Sequence, residues 1–178
     1  MKQALEADKE GAISLGARLK EFYQPVVYEK SAMVLHMLRQ VCGDEPFFEI
    51  IKQFYQESYN RAVGTDDFRK VVEEVTQHDM AWFFDQWIYD IGYPRYRVTY
   101  SSVKEADGQY LVRGALSQTQ EGRIYRMPVP IRLELKNGKL IDKVIWSDSR
   151  SHLFELIVPD DVKRIEAAPD YAVYCERE

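Results

Sequence analysis

At 178 residues, with 46% hydrophobic and 30% charged positions, the chain can hold one domain or two small ones, and its balance is globular rather than disordered. A formal net charge of −5 without a Lys/Arg block argues against a nucleic-acid partner, and no apolar run nears the ~20 residues that cross a bilayer. Cys42 and Cys175 are too few for a disulfide framework and read as free thiols. The opening Met1-Lys2-Gln3-Ala4, followed by charges, lacks the form of a signal peptide, and the compartment stays open.

Residues 1–24 are charged and weakly patterned, with Gly11 and Gly16 interrupting any long helix, so a loosely held leader is expected. From Val27 to Arg39 the chain reads as a buried helix. Val27, Ser31, Val34, Leu35, Leu38 and Val41 follow helical spacing, and Ala32, Met33 and Met37 widen the apolar face until neighbours are expected all round. Pro25 suits its start and Gly43 its stop. Tyr28 lies in the first turn beside Glu29 and Lys30, placed to point out of the helix. Its ordinary role is a core or interface aromatic with a wet hydroxyl. A second helix is expected from Glu45 to Asn60, capped by Asp44. A third is capped by Thr65, with Asp66 and Asp67 at the positive end of its dipole. A fourth runs from Asp79 through Phe83, Phe84, Trp87 and Ile91 to the stop at Gly92 and Pro94.

After Pro94 the period changes from 3.6 to 2. Strands are expected over Tyr96–Tyr100, Tyr110–Leu116, Met127–Leu135, Leu140–Trp146, His152–Val158 and Val162–Ala167, with a short piece at Tyr171–Tyr174. Asn137-Gly138 marks a hairpin, and Pro128 and Pro130 suggest an edge or bulge at the start of their strand. The pattern predicts an α+β chain: residues 1–93 helical, residues 94–178 an antiparallel β-sandwich.

Two phrases carry a resemblance. Tyr28-Glu29-Lys30-Ser31-Ala32 leading into Val34-Leu35-His36-Met37-Leu38-Arg39 resembles the Tyr-Glu-Lys-Gly-Ala stretch of the gluzincin aminopeptidases, the aminopeptidase N family. Thr65-Asp66-Asp67-Phe68, followed by Phe83 to Trp87 and Gly92-Tyr93-Pro94, is similar to a later stretch of the same family. Ser14-Leu15-Gly16-Ala17-Arg18-Leu19 is similar to a phrase that precedes the tyrosine in its bacterial members. Ser31 stands where the family has glycine, which leaves the tyrosine in place. The resemblance implies that residues 1–93 are the later part of a thermolysin-like catalytic domain and that the sandwich is the following β domain. In that family zinc polarises the scissile carbonyl, a glutamate activates water, and this tyrosine donates a hydrogen bond to the tetrahedral intermediate. Tyr28 is therefore the catalytic residue implied for this chain, with Tyr23, five residues upstream, as its rival if the entry loop folds back.

The rest of such a site is absent from the sequence. Zinc needs two histidines one helical turn apart with a glutamate base between them, so that i and i+4 side chains converge on one ion. His36, His78 and His152 stand apart, and no HExxH occurs. His36 reads as covering core and His78 as solvated, while His152 heads a strand. Asp66/Asp67 and Glu73/Glu74 are neighbours in sequence and point to different sides of a helix. There is no GxSxG elbow or phosphate loop. The expectation is a piece of a zinc metallopeptidase, holding no metal or cofactor itself and inactive alone. Its partners would be the missing amino-terminal part of the same protein and, through it, peptide substrates. Surface around residues 1–35 is then expected to be unusually apolar. The alternative is a non-enzymatic interaction module using Tyr23, Tyr55, Tyr59, Trp82 and Tyr89.

Overall fold

The computed structural model describes all residues, Met1–Glu178. The chain is α+β and divides into two units, Met1–Gly92 and Tyr93–Glu178.

In the helical unit, α1 (Lys2–Ala7) leads through a 3-10 turn (Asp8–Glu10) into an irregular 3-10 stretch (Ile13–Phe22) broken at Gly16 and Lys20. The leader is not loose. Ala7 and Leu19 pack with Val26, and the Ser14 amide donates to the Ile88 carbonyl at 3.1 Å. The glycines prevent one long helix without preventing packing.

The helix expected from Val27 begins earlier and differently. Gln24–Lys30 is a π-helix, and α-geometry starts only with α2 (Ser31–Cys42). Nor is this helix surrounded. Val34, Met37 and Leu38 are buried, whereas Tyr28, Leu35 and His36 face solvent. Gly43 ends it at φ +86°, its amide donating to the Arg39 carbonyl at 2.8 Å.

Helix α3 (Asp44–Ser58) has Gly43 rather than Asp44 at its cap, because the Asp44 carboxylate is held by Arg39 at 2.8 Å. Helix α4 (Thr65–Thr76) is capped at Gly64, whose amide donates to the Asp67 carboxylate at 2.8 Å. Helix α5 (Ala81–Trp87) stops short of Ile91 because the Ile88 and Tyr89 amides both converge on the Phe84 carbonyl and widen the last turn. Phe68 links the helices, its ring edge-to-face with Phe54 of α3 and Phe84 of α5. Trp87, Phe83, Ile50 and Val72 are buried in the core of the unit.

The second unit is a sandwich of two sheets, ordered β5-β2-β1-β7 and β4-β3-β6, with β1 (Arg95–Lys104), β2 (Tyr110–Gln118), β3 (Met127–Leu135), β4 (Leu140–Ser147), β5 (Ser151–Val158), β6 (Val162–Ala167) and β7 (Glu176–Arg177). Its core gathers Val112, Ile131, Leu133, Leu135, Val158 and Val162 from both sheets. Alternation is cleanest in β3, where Met127, Val129, Ile131, Leu133 and Leu135 are all buried. The hairpin at Asn137-Gly138 forms with Gly138 at φ +86°, a conformation that costs glycine little.

Two features differ from the sequence reading. Residues 171–174 form no strand; a 3-10 turn (Pro169–Tyr171) precedes the two-residue β7. That strand pairs parallel to β1, so the sandwich is not wholly antiparallel. Strand β3 lies between β4 and β6, but its start is an edge as expected: β6 pairs only from Ile131 onward, after the Ala168 amide donates to the Pro130 carbonyl at 2.7 Å, so Pro128 and Pro130 are tolerated there.

Candidate functional site

Tyr28 stands on the π-helix with 57% of its surface exposed, and no hydrogen bond ties its hydroxyl to the chain. The burial of its neighbours sets this direction. Val26 and Lys30, four residues apart, are buried and define the inward side; Tyr28, midway between them, is turned outward. Its ring meets Tyr23 edge-to-face at 5.6 Å between centroids. In a π-helix the hydrogen bonds run i to i+5, so residues five apart come onto one side.

Lys30 is the residue that sequence reasoning passed over. Its ammonium is fully buried and lies 2.5 Å from Asp8, itself 1% exposed, and it donates to the Asp90 carbonyl at 3.4 Å. Asp8 also accepts the Gly92 amide. A lysine inside an otherwise apolar helical stretch was the available signal; its partner, in the unpatterned leader, gave none.

The other candidates do not come together. His36 is exposed and pairs with Gln40 at 2.8 Å; it does not cover core. His78 is exposed near Glu73 and Asp79. His152 lies in the sandwich, where its Nε2 accepts from the Asp148 and Ser149 amides at 3.0 Å. The carboxylates are used locally. Asp67 caps α4, Asp66 accepts from the Tyr89 hydroxyl at 2.8 Å, Glu73 accepts from the Met80 amide at 3.2 Å, and Glu74 from Gln53 at 3.1 Å. Burial pushes the Cys42 thiol up to about 11 and the Cys175 thiol up to about 12, the wrong direction for a nucleophile or a metal ligand. No three His, Cys, Asp or Glu side chains are grouped to hold a metal ion, so the donor set does not fit zinc. No helix is long and apolar enough to cross a membrane.

Exposed apolar side chains gather less at residues 1–35 than along α3. Phe48, Ile51 and Tyr55 follow one stripe of that helix, and Tyr59 continues it just beyond, with Tyr55 at 71% and Tyr59 at 70%. Tyr23 and Trp82, by contrast, are partly buried.

Residues 4–87 match the Peptidase family M1 domain. The chain is 35% identical over 74 residues to aminopeptidase N of Lactococcus lactis subsp. lactis, covering 41% of this chain and 9% of that protein. It is 26% identical over 149 residues to leucyl aminopeptidase of Saccharolobus solfataricus, covering 83% of this chain and 18% of that one. Among solved structures, Legionella pneumophila aminopeptidase A in complex with aspartic acid shares the fold with a TM-score of 0.71 at 22% identity, covering 90% of this chain and 18% of its own. The chain thus spans less than a fifth of the length of these relatives. The M1 family is zinc-dependent in general.

Proposed function

We propose that the chain is part of a zinc-dependent M1 aminopeptidase, supplying the tyrosine that stabilises the transition state together with the β unit that follows. The observation that carries this reading is Tyr28: an outward hydroxyl, unbonded within the chain, on the segment whose sequence resembles the family's tyrosine phrase. When peptide bond hydrolysis turns the carbonyl oxygen into an oxyanion, a phenolic hydroxyl held nearby donates a hydrogen bond that strengthens as charge develops. One such donor in a dry site lowers the barrier by about 3–4 kcal/mol. The metal, its histidines and the glutamate base belong to the amino-terminal part of the same protein, which also brings the peptide substrate.

Alone, the chain holds no zinc and hydrolyses no peptide. Metal analysis of the purified 178-residue chain, with an aminoacyl-anilide assay alongside, tests this. Sub-stoichiometric zinc and no turnover are expected; one tightly held zinc per chain with turnover would contradict it. A second reading, a protein-interaction module, is favoured by the exposed apolar stripe of α3. It makes no use of the Tyr28 hydroxyl, which is where the two readings part.

A further inference from the structure

We infer that the buried Lys30–Asp8 ion pair is a positioning device for Tyr28, fixing the rotational setting of the π-helix that presents the hydroxyl. The inference rests on the reading of Tyr28 as a donor only for its purpose; the geometry stands apart from it. Three segments distant in sequence meet at this pair: the turn after α1 through Asp8, the end of the π-helix through Lys30, and the exit of α5 through the Asp90 carbonyl and the Gly92 amide.

A buried ion pair is weak evidence for stability, because desolvating both charges offsets most of their attraction; its better-attested use is to enforce one register over its competitors. The register here is open to competition. A π-turn holds more residues than an α-turn and is the rarer form, so relaxation of residues 24–30 into the α-geometry of α2 would turn the upstream segment about its axis. The apolar contacts of Val26 with Ala7 and Leu19 are non-directional and resist such a rotation weakly. The ammonium does not share that tolerance. Turned away from Asp8 it would leave a carboxylate buried without its partner charge, so only settings with Lys30 inward are accessible. Residues two apart on a helix lie on nearly opposite sides, and an inward Lys30 therefore means an outward Tyr28.

The test uses the 178-residue chain with 13C-labelled tyrosine rings, the Tyr28 signal being identified by its loss in Tyr28→Phe. Lys30→Met and Asp8→Asn each remove one charge; Ile50→Ala, in the buried face of α3, is a control that destabilises without touching the pair. In both charge variants the Tyr28 signal should move towards that of free tyrosine as the ring leaves Tyr23, and the amides of residues 26–31 should exchange ~10-fold faster or more. The control should do neither. An unmoved Tyr28 signal in a folded charge variant, or the same movement in Ile50→Ala, would overturn the inference. If neither charge variant folds, hydrogen exchange of the unsubstituted chain decides: the Gly92 amide and those of residues 26–30 should open together, and separate openings would overturn it. Failure of the donor reading looks different, since it leaves these signals as expected while Tyr28→Phe leaves turnover intact.

Discussion

Tyr23 and Tyr28 meet edge-to-face, 5.6 Å between ring centroids and 74° between planes, across a π-helical stretch that places residues five apart on one side. In an α-helix the same two residues would diverge. The contact gives Tyr28 a defined ring setting at an exposed site, where side chains otherwise sample several rotamers. Replacing Tyr23 by alanine should cost more than the about 0.5–1.5 kcal/mol that such a pair is worth beyond its buried area, because the ring also packs against Ala7, Leu19 and Val26. Urea denaturation of the variant against the unsubstituted chain measures it, and no change in midpoint would mean that the rings contribute no net attraction.

Gly114 is constrained by its neighbours rather than by its backbone. It pairs with Phe154 across β2 and β5, and an added Cβ would lie 2.4 Å from the Phe154 Cζ and 2.7 Å from the Thr99 carbonyl oxygen. The ring can yield; the carbonyl, part of the β1 backbone, cannot without shifting the strand. Gly114→Ala should therefore destabilise the chain by about 1–3 kcal/mol, as overpacking does. A variant with unchanged or raised melting temperature would show that the sheet accommodates the methyl group.

Much of the sandwich was legible in the sequence because alternation is a strong signal when one face is buried. Met127, Val129, Ile131, Leu133 and Leu135 could sit in no other register without exposing the core. Strand β7 was not legible: two residues pairing in parallel leave no period to read. The π-helix was invisible for another reason, since Gln24–Lys30 is a run of 7 residues, too short to set one helical period against another. Helix α5 looked longer than it is because Ile88 and Ile91 continue the period after the hydrogen bonds have ceased to. At the candidate site, Tyr28 was named through its phrase, whereas the burial of Lys30 depends on Asp8, twenty-two positions upstream in a segment without pattern.

Ion pairs along the β4-β3-β6 sheet make the chain sensitive to acid. Lys163, and after it Arg164, holds the Glu134 carboxyl below the usual range, Arg132 does the same for Asp142, and Lys136 for Asp161. A depressed carboxyl contributes stability that is fully present above its unfolded pKa and is lost as pH falls through its folded value. The melting temperature should thus be insensitive to these groups above about pH 5 and decline below about pH 4. Because the pairs are largely solvent-accessible, added salt should flatten the decline. Glu134→Gln should remove part of it. Thermal melts across this window check the sign; a chain that becomes more stable on acidification would contradict the assignment.

The central claim is that the Tyr28 hydroxyl acts on the transition state. The most direct measurement is Tyr28→Phe in the longer enzyme, a change that removes one hydroxyl and keeps the ring against Tyr23. Loss of a donor used only in the transition state lowers turnover by ~10²-fold or more, with kcat and kcat/KM falling together and zinc content unchanged. Unchanged turnover at full zinc occupancy would contradict the claim and return Tyr28 to a surface aromatic.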